Sequence, residues 1–212
     1  AGETARLRLG LVSAVLSPRL VEVLRVFRER HPDVQLAVQD SSPSEQLAAL
    51  AGGTLDGGFV GLKPSGGTAG IRFRAWSREA LVAVVPLGHP LAERKTLRLK
   101  ALAGEGLVAV SSDAAPAFAT HLRELCRQAG FRPRIVQESP RAQAVAVMVA
   151  AGGGIALLPA SLSRVVGNSA AVVPLEKTPD LTHVFAHREG TPTPTMRRFL
   201  AVLTEIGVAD QK

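Results

Sequence analysis

The chain has 212 residues, of which 46% are hydrophobic and 20% charged, and its formal net charge is +7. This is globular composition with enough apolar material for a core, and the length allows one or two domains. No apolar stretch is long enough to cross a membrane and no secretory signal is recognisable, while the single cysteine, Cys126, excludes an internal disulfide. We therefore expect a cytoplasmic protein, and the start at Ala1 without a methionine predicts a fragment of a longer chain.

The positive charge does not by itself predict nucleic-acid binding. Arginines are scattered along the whole chain, with no basic block interleaved with aromatic residues and no zinc-finger or RNA-recognition motif. Charge without such a motif indicates solubility and weak attraction. We therefore expect no direct DNA contact from this part of the protein.

Predicted strands and helices alternate in the first half of the chain. The strands cover Leu7–Val12, Val34–Gln39, Leu55–Val60 and Ile71–Trp76. The helices begin at Ser17-Pro18, with an alternative start near Ser13, and at the capping box Ser42-Pro43-Ser44-Glu45.

The second half repeats this alternation. Its predicted strands are Leu81–Val85, Gly106–Val110, Ile135-Val136, Ile155–Leu158, Val172–Pro174 and His183–His187. One predicted helix has the apolar stripe Phe118, Leu122, Leu125 and Ala129; another starts near Val145 and stops at Gly152–Gly154; the last is entered through Thr193-Pro194-Thr195.

This order predicts an α/β fold. Buried apolar strands between helices indicate a parallel-type sheet covered on both faces. A soft break near Ser77-Arg78-Glu79 separates two β-α-β-α-β units, which predicts two similar lobes with a cleft between them.

No catalytic or metal-binding pattern is present. The five histidines lie far apart, and His183 and His187, on one face of a predicted strand, would be about 13 Å apart. Cys126 falls on the apolar side of a predicted helix and is expected to be a buried structural thiol. The glycine clusters match neither a P-loop nor a dinucleotide turn. We therefore expect no metal, no cofactor and no enzymatic turnover.

Hydroxyl groups instead follow three predicted strands. Ser13, Ser41-Ser42 and Ser111-Ser112 lie at strand carboxyl ends, each close to a helix start. Free N–H groups and the helix dipole at such places favour anions. The pattern favours a cleft that binds a small carboxylate, although capping alone accounts for Ser42.

The chain resembles the effector-binding domain of LysR-type transcriptional regulators. The resemblance is carried, in the family's order and spacing, by Arg6–Leu36, Ser44–Gly61, Ala80–Ala92 and Met148–Ser161. It implies two Rossmann-like lobes joined by two crossover strands, as in type II periplasmic binding proteins. Lobe I would be residues 1–77 plus 183–212 and lobe II residues 78–182, and a preceding winged helix-turn-helix domain would be absent from this chain.

The resemblance also implies partners and site residues. Homodimers or tetramers would form through Pro18–Arg30 and Phe118–Gln128, whereas DNA and RNA polymerase would be partners of the full-length protein only. Within the family, the segments near Ser13 and Pro116–His121 are most similar to regulators of aromatic degradation that respond to benzoate or muconate. The implied effector contacts are Ser13, Ala14, Ser41, Ser42, Pro43, Ser112, Phe118 and Phe185.

Pro43 departs from that subgroup, which often has threonine at this position, and it offers neither a hydroxyl nor an N–H group. The expected function is sensing of a small aromatic or dicarboxylic acid in the cleft between the lobes, which would change the shape of an oligomer on DNA. A periplasmic solute-binding protein for a small carboxylate is the alternative, since the same fold would serve it.

Overall fold

The structure is a computed structural model that describes residues 5–12, 17–66 and 68–207. The chain divides into two compact units. Unit 1 comprises Ala1–Ser77 and Thr182–Lys212, and unit 2 comprises Arg78–Leu181. The predicted lobes, 1–77 plus 183–212 and 78–182, differ from these units by one residue.

The secondary structure of the described residues alternates between strands and helices along the chain. The strands are β1 (Ala5–Leu11), β2 (Val34–Asp40), β3 (Gly57–Leu62), β4 (Ile71–Glu79), β5 (Leu81–Pro86), β6 (Gly106–Val110), β7 (Arg134–Ser139), β8 (Ala156–Pro159), β9 (Ala170–Pro174) and β10 (Leu181–Arg188). The helices are α1 (Pro18–Arg30), α2 (Pro43–Ala51), α3 (Pro116–Gln128), α4 (Ala142–Ala150), α5 (Ser163–Val166) and α6 (Pro194–Ile206), with short 3₁₀ helices at Pro90–Glu93, Leu99–Leu102 and Ala160–Leu162.

Unit 1 is built on a five-stranded sheet in the order β2-β1-β3-β10-β4. β1 runs parallel to both β2 and β3, whereas β10 pairs antiparallel with β3. Helices α1 and α6 pack with the sheet around an aromatic core in which the Phe59 ring meets Trp76 and Phe185 edge-on, each at 4.9 Å between centroids. The carboxyl ends of β1, β2 and β3 therefore lie together at one edge of the sheet.

Unit 2 has a different strand arrangement from the one predicted. β5 lies between β8 and β9 and is antiparallel to both, and β6 and β7 form a separate parallel pair. The expectation of a parallel-type sheet is thus wrong for β5, β8 and β9, although the α/β class is confirmed. An apolar run indicates that both faces of a strand are buried. Whether the strand runs parallel or antiparallel to its neighbours depends on the connections between strands, which the run does not show.

Three predicted helix starts are confirmed, whereas α4 begins at Ala142, three residues before the predicted Val145. Ser17 caps α1 by accepting from the Leu20 N–H at 3.3 Å, Ser42 caps α2, and Thr193 caps α6. Each of these caps precedes a proline at the first helical position, where a missing N–H costs no hydrogen bond. The alternative start near Ser13 lies outside the described residues.

The buried face of α3 is displaced from the predicted stripe. The buried side chains are Ala119, Leu125 and Cys126, while Phe118 is only partly buried. The periodicity was satisfied almost equally by two neighbouring faces of this helix, and packing against β6 selected between them. Among the described residues, no helix is long and apolar enough to span a bilayer.

Candidate functional site

In unit 1 the ends of three parallel strands meet the start of helix α2. The Ser41 N–H donates to the carbonyl oxygen of Leu11 at 3.0 Å, and the Val12 N–H donates to that of Phe59 at 3.3 Å. These bonds continue the pairing of β1 with β2 and β3 beyond the last strand residues. This edge is where open α/β sheets bind small ligands.

The amino end of α2 carries the predicted capping box. The Ser42 hydroxyl accepts from the Glu45 N–H at 3.3 Å, and the Glu45 carboxylate accepts from the Ser42 N–H at 2.6 Å. Pro43 occupies the first helical position and has no N–H. The capping role predicted for Ser42 is confirmed, and the N–H groups of Ser42 and Glu45 are already used within the chain.

Ser41 differs from its neighbour because its side chain has no hydrogen-bond partner among the described residues. The residue is 7% exposed, and within that part of the chain its buried Oγ is unpaired. Its backbone is nevertheless held on both sides, since its N–H binds Leu11 and its carbonyl oxygen accepts from Gln46 Nε2 at 2.8 Å. A buried hydroxyl without a partner costs about 1–3 kcal/mol, so most such groups in native proteins bind another group, a water molecule or a ligand.

Gln46, which the sequence pattern did not single out, contacts the backbone of Ser41. It lies on α2, is 0% exposed, and also donates weakly to the Phe59 carbonyl oxygen at 3.4 Å. A pattern clue was available: Gln46 lies four positions before the apolar Leu50, so a helix would place both on one face. A polar residue on a buried helix face requires a buried partner.

The predicted residues of unit 2 lie between β6 and α3. The Ser111 N–H donates to the Ser139 carbonyl oxygen at 2.9 Å, which joins the ends of β6 and β7, and Ser112 follows half-buried. Neither serine caps α3, whose N-cap is Ala115 without a side-chain hydrogen bond. Phe118 lies partly buried in the first turn of that helix. The amino end of α3 therefore lacks the side-chain cap found at α2.

Phe185 does not lie at a surface where an effector could reach it. It is 0% exposed, and its ring packs against Phe59 at 4.9 Å and Phe199 at 5.4 Å within the core of unit 1. The role implied by the resemblance is therefore corrected to that of a core residue, because strand β10 turns this side chain into the aromatic cluster. Ser13 and Ala14 lie outside the described residues.

Two ionisable residues that could be considered for catalysis, Cys126 and His183, are buried. Cys126 is 0% exposed, and burial raises the pKa of its thiol to about 11, so the predicted structural thiol is confirmed. Burial lowers the pKa of His183 to about 4. Among the residues that the structure describes, no group of three or more histidine, cysteine or acidic side chains could hold a metal ion.

Comparison with known proteins gives a match along nearly the whole chain. Residues 1–207 match the profile of the family described as "LysR substrate binding domain". The transcriptional regulator IlvR of Caulobacter vibrioides is 31% identical over 209 residues, which cover 98% of this chain and 70% of IlvR. The regulator AlsR of Bacillus subtilis is 26% identical over 202 residues, covering 95% of this chain and 66% of AlsR. The chain thus spans about two thirds of the length of these relatives.

A similar fold is found in a solved structure described as the BenM effector-binding domain with its effector benzoate. The TM-score is 0.80 at 27% sequence identity, and the match covers 97% of this chain and 93% of that one. BenM comes from Acinetobacter baylyi. The match covers both units, and the shared fold is the two-lobed architecture of type II periplasmic binding proteins.

Proposed function

Because the chain belongs to the LysR family of transcriptional regulators and corresponds to its effector-binding domain, we propose that it senses a small aromatic or dicarboxylic acid on behalf of a longer regulator. The family consists of transcription factors rather than enzymes. The matches therefore favour regulation over the alternative of a periplasmic solute-binding protein. We therefore also propose that the whole protein acts in the cytoplasm.

The observation that carries the proposed acid effector is the Ser41 hydroxyl. It is buried, it has no hydrogen-bond partner in the part of the chain that the structure describes, and it lies at the carboxyl end of β2 beside the start of α2. A carboxylate oxygen has the capacity to accept from this hydroxyl and from that of Ser42, whose own hydrogen is not required by the cap. Hydrogen bonds to a charged group are about twice as strong as neutral ones.

The neighbouring Pro43 limits which hydrogen-bond donors are available to an acid. Since Pro43 has no N–H and the capping box uses those of Ser42 and Glu45, side-chain hydroxyls are the donors proposed here. The solved BenM domain has benzoate as its effector, which supports an acid of similar size without identifying it. Assignment to the aromatic-degradation subgroup is part of this proposal.

In unit 2, Ser112 and Phe118 are the proposed contacts. Ser112 supplies a hydroxyl just beyond β6, and the partly buried Phe118 ring offers an apolar surface in the first turn of α3. Contact with this ring would contribute binding free energy for an aromatic effector. The predicted inter-lobe location remains a prediction, and the two sets of residues are therefore tested separately.

Calorimetric titration with benzoate, phthalate and succinate tests the proposal. We expect at least one acid to bind, and Ser41→Ala to weaken its binding by about tenfold or more, the effect of losing a hydrogen bond to a charged group. Thr193→Ala is the matched control, because Thr193 caps α6 of the same unit and is outside the proposed contacts. Ser13→Ala and Ser112→Ala test the other predicted hydroxyls.

Two results would contradict the proposal. One is that none of the acids binds at millimolar concentration. The other is that an acid binds equally well to the wild-type chain, Ser41→Ala, Ser13→Ala and Ser112→Ala, since no predicted hydroxyl would then contribute.

We also propose that the protein forms homo-oligomers through Pro18–Arg30 and Phe118–Gln128, and that DNA and RNA polymerase are partners of the full-length regulator. The outer face of α1 supports an interface because Val21 is 53% exposed beside a charged group in which Arg25 bridges Glu22 and Glu29. Sedimentation of the wild-type chain and of Val21→Glu tests this arrangement. A dimer that the substitution leaves intact would argue against α1 as the interface.

A further inference from the structure

A pair of glycines in adjacent strands makes room for the side chain of Gln46. Gly10 of β1 and Gly58 of β3 are partners in the strand register. A Cβ atom added at Gly10 would lie 2.8 Å from Gln46 Cδ, and one added at Gly58 would lie 2.5 Å from Gln46 Oε1. Real Cβ atoms do not approach other atoms so closely, so both positions require glycine while the amide lies there.

From this position the Gln46 amide reaches the strands on both sides of β1. In the strand order β2-β1-β3, its Nε2 donates to the carbonyl oxygen of Ser41, just after β2, at 2.8 Å and more weakly to that of Phe59, in β3, at 3.4 Å. One side chain of α2 therefore bridges the two strands that flank β1, from the carboxyl end of β2 to the middle of β3. Such a bridge restrains the edge at which Ser41 lies.

We infer that Gln46 is a positioning residue of the effector site, which fixes the backbone of Ser41 and thereby the direction of its hydroxyl. This inference rests on the proposed function for its ligand, but the contact itself is independent of any ligand. With its N–H bound to Leu11 and its carbonyl oxygen to Gln46, Ser41 is held from two sides. A hydroxyl presented in a fixed direction loses less conformational entropy when a ligand binds.

The polar atoms that remain unpaired argue against a role in core packing alone. Within residues 5–12, 17–66 and 68–207, neither the buried Gln46 Oε1 nor the buried Ser41 Oγ has a hydrogen-bond partner. A methionine or leucine would fill the same space without an unpaired carbonyl oxygen, so stability alone favours an apolar residue here. The amide gains only its two hydrogen bonds to backbone carbonyls, and both are at the ligand-binding edge.

Amide hydrogen exchange of the wild-type chain and Gln46→Met tests the contact without a ligand. Methionine keeps the volume and removes the donor, so we expect exchange of the Ser41 amide to accelerate by about five- to tenfold, as for loss of one buried hydrogen bond. Leu50→Met is the matched control, because Leu50 is equally buried on α2 and should leave that amide unchanged. An acceleration below twofold in Gln46→Met would overturn the inference.

A second variant removes the contact while keeping Gln46. Gly58→Ala introduces the Cβ that collides with Oε1, and we expect it to accelerate exchange at Ser41 as Gln46→Met does. The double variant should then resemble either single variant, because both act on the same contact. Independent, additive accelerations would count against the bridge.

Benzoate titration separates positioning from a structural role. If Gln46 acts through Ser41, Gln46→Met weakens binding by about tenfold in the wild-type background and has no further effect in the Ser41→Ala background. Equal losses in both backgrounds would overturn the positioning role. If the wild-type chain binds none of the acids tested, the proposed acid effector fails, whereas the Gln46 contact is still decided by hydrogen exchange.

Discussion

Arg8 and Asp56 are joined through both their side chains and their backbones. The Arg8 Nε and Nη2 atoms donate to the two oxygens of the Asp56 carboxylate at 3.1 and 2.7 Å. The Arg8 N–H donates to the same carboxylate at 2.8 Å, and the Asp56 N–H donates to the Arg8 carbonyl oxygen at 2.9 Å. This pair ties β1 to the segment that leads into β3, and so contributes to the register of the two strands.

We expect Asp56→Asn to lower the free energy of unfolding of unit 1 by about 1–2 kcal/mol at neutral pH, because a partly buried charged pair is lost. Burial acts to raise the pKa of Asp56, but the hydrogen bonds from Arg8 prevail and lower it. The stabilisation is therefore present above the ordinary carboxyl pKa and is lost as the pH falls through the lowered one.

Fluorescence of Trp76, the single tryptophan and 1% exposed in unit 1, measures this unfolding. Asp33→Asn is the control, since the Asp33–Arg198 pair is exposed and such pairs contribute little. Equal stability of Asp56→Asn and the wild-type chain at neutral pH would contradict the prediction.

The buried His183 should give the free energy of unfolding a second, separate dependence on pH. Burial lowers the pKa of His183 from 6.5 to about 4, so the native state holds a neutral imidazole that the unfolded chain protonates more readily. Stability is full above pH 6.5 and falls by up to about 3 kcal/mol as the pH decreases towards 4. Denaturant unfolding at pH 7 and pH 5 should show a smaller difference in His183→Gln than in the wild-type chain. The slope that remains is expected from His187, whose pKa is also lowered by burial.

The two roles of Ser42 can be separated by substitution. Ser42→Ala removes the cap of α2 and should cost about 1 kcal/mol of stability, whereas Ser42→Gly should cost only a few tenths. Both variants lack the hydroxyl, so both should weaken binding of an acid equally if Ser42 contacts it. If Ser42→Gly instead binds the acid nearly as well as the wild-type chain and only Ser42→Ala binds it more weakly, affinity depends on the cap and Ser42 has a capping role alone.

The reactivity of Cys126 reports on unfolding of unit 2, as the fluorescence of Trp76 does for unit 1. Because the thiol is buried and its pKa is raised to about 11, we expect negligible reaction with a thiol reagent at pH 8 until unit 2 opens. Its reaction should become rapid at the denaturant concentration that unfolds unit 2. Fast labelling of the native chain would show that the face of α3 that carries Cys126 is not buried in solution.

Local features of the fold were predictable because they depend on neighbouring residues. The caps at Ser17, Ser42 and Thr193 each satisfy N–H groups within the next helical turn, so a few residues contain the whole interaction. Ser41 could likewise be placed at the end of a strand and before a helix. Among the described residues its hydroxyl has no hydrogen-bond partner, and this could not be predicted from the sequence, because it depends on every group packed around Ser41.

The sequence by itself determined the α/β alternation, the helix starts and the family to which the chain belongs, since these reside in short-range patterns and in the order of motifs. Only the tertiary structure decided that β5 runs antiparallel to both neighbours, that Phe185 enters the core, and that Gln46 fits over Gly10 and Gly58. The last contact joins positions from three separate elements, 36 and 12 residues away from Gln46 along the chain. Such packing depends on how distant segments return to one another, which no local periodicity encodes.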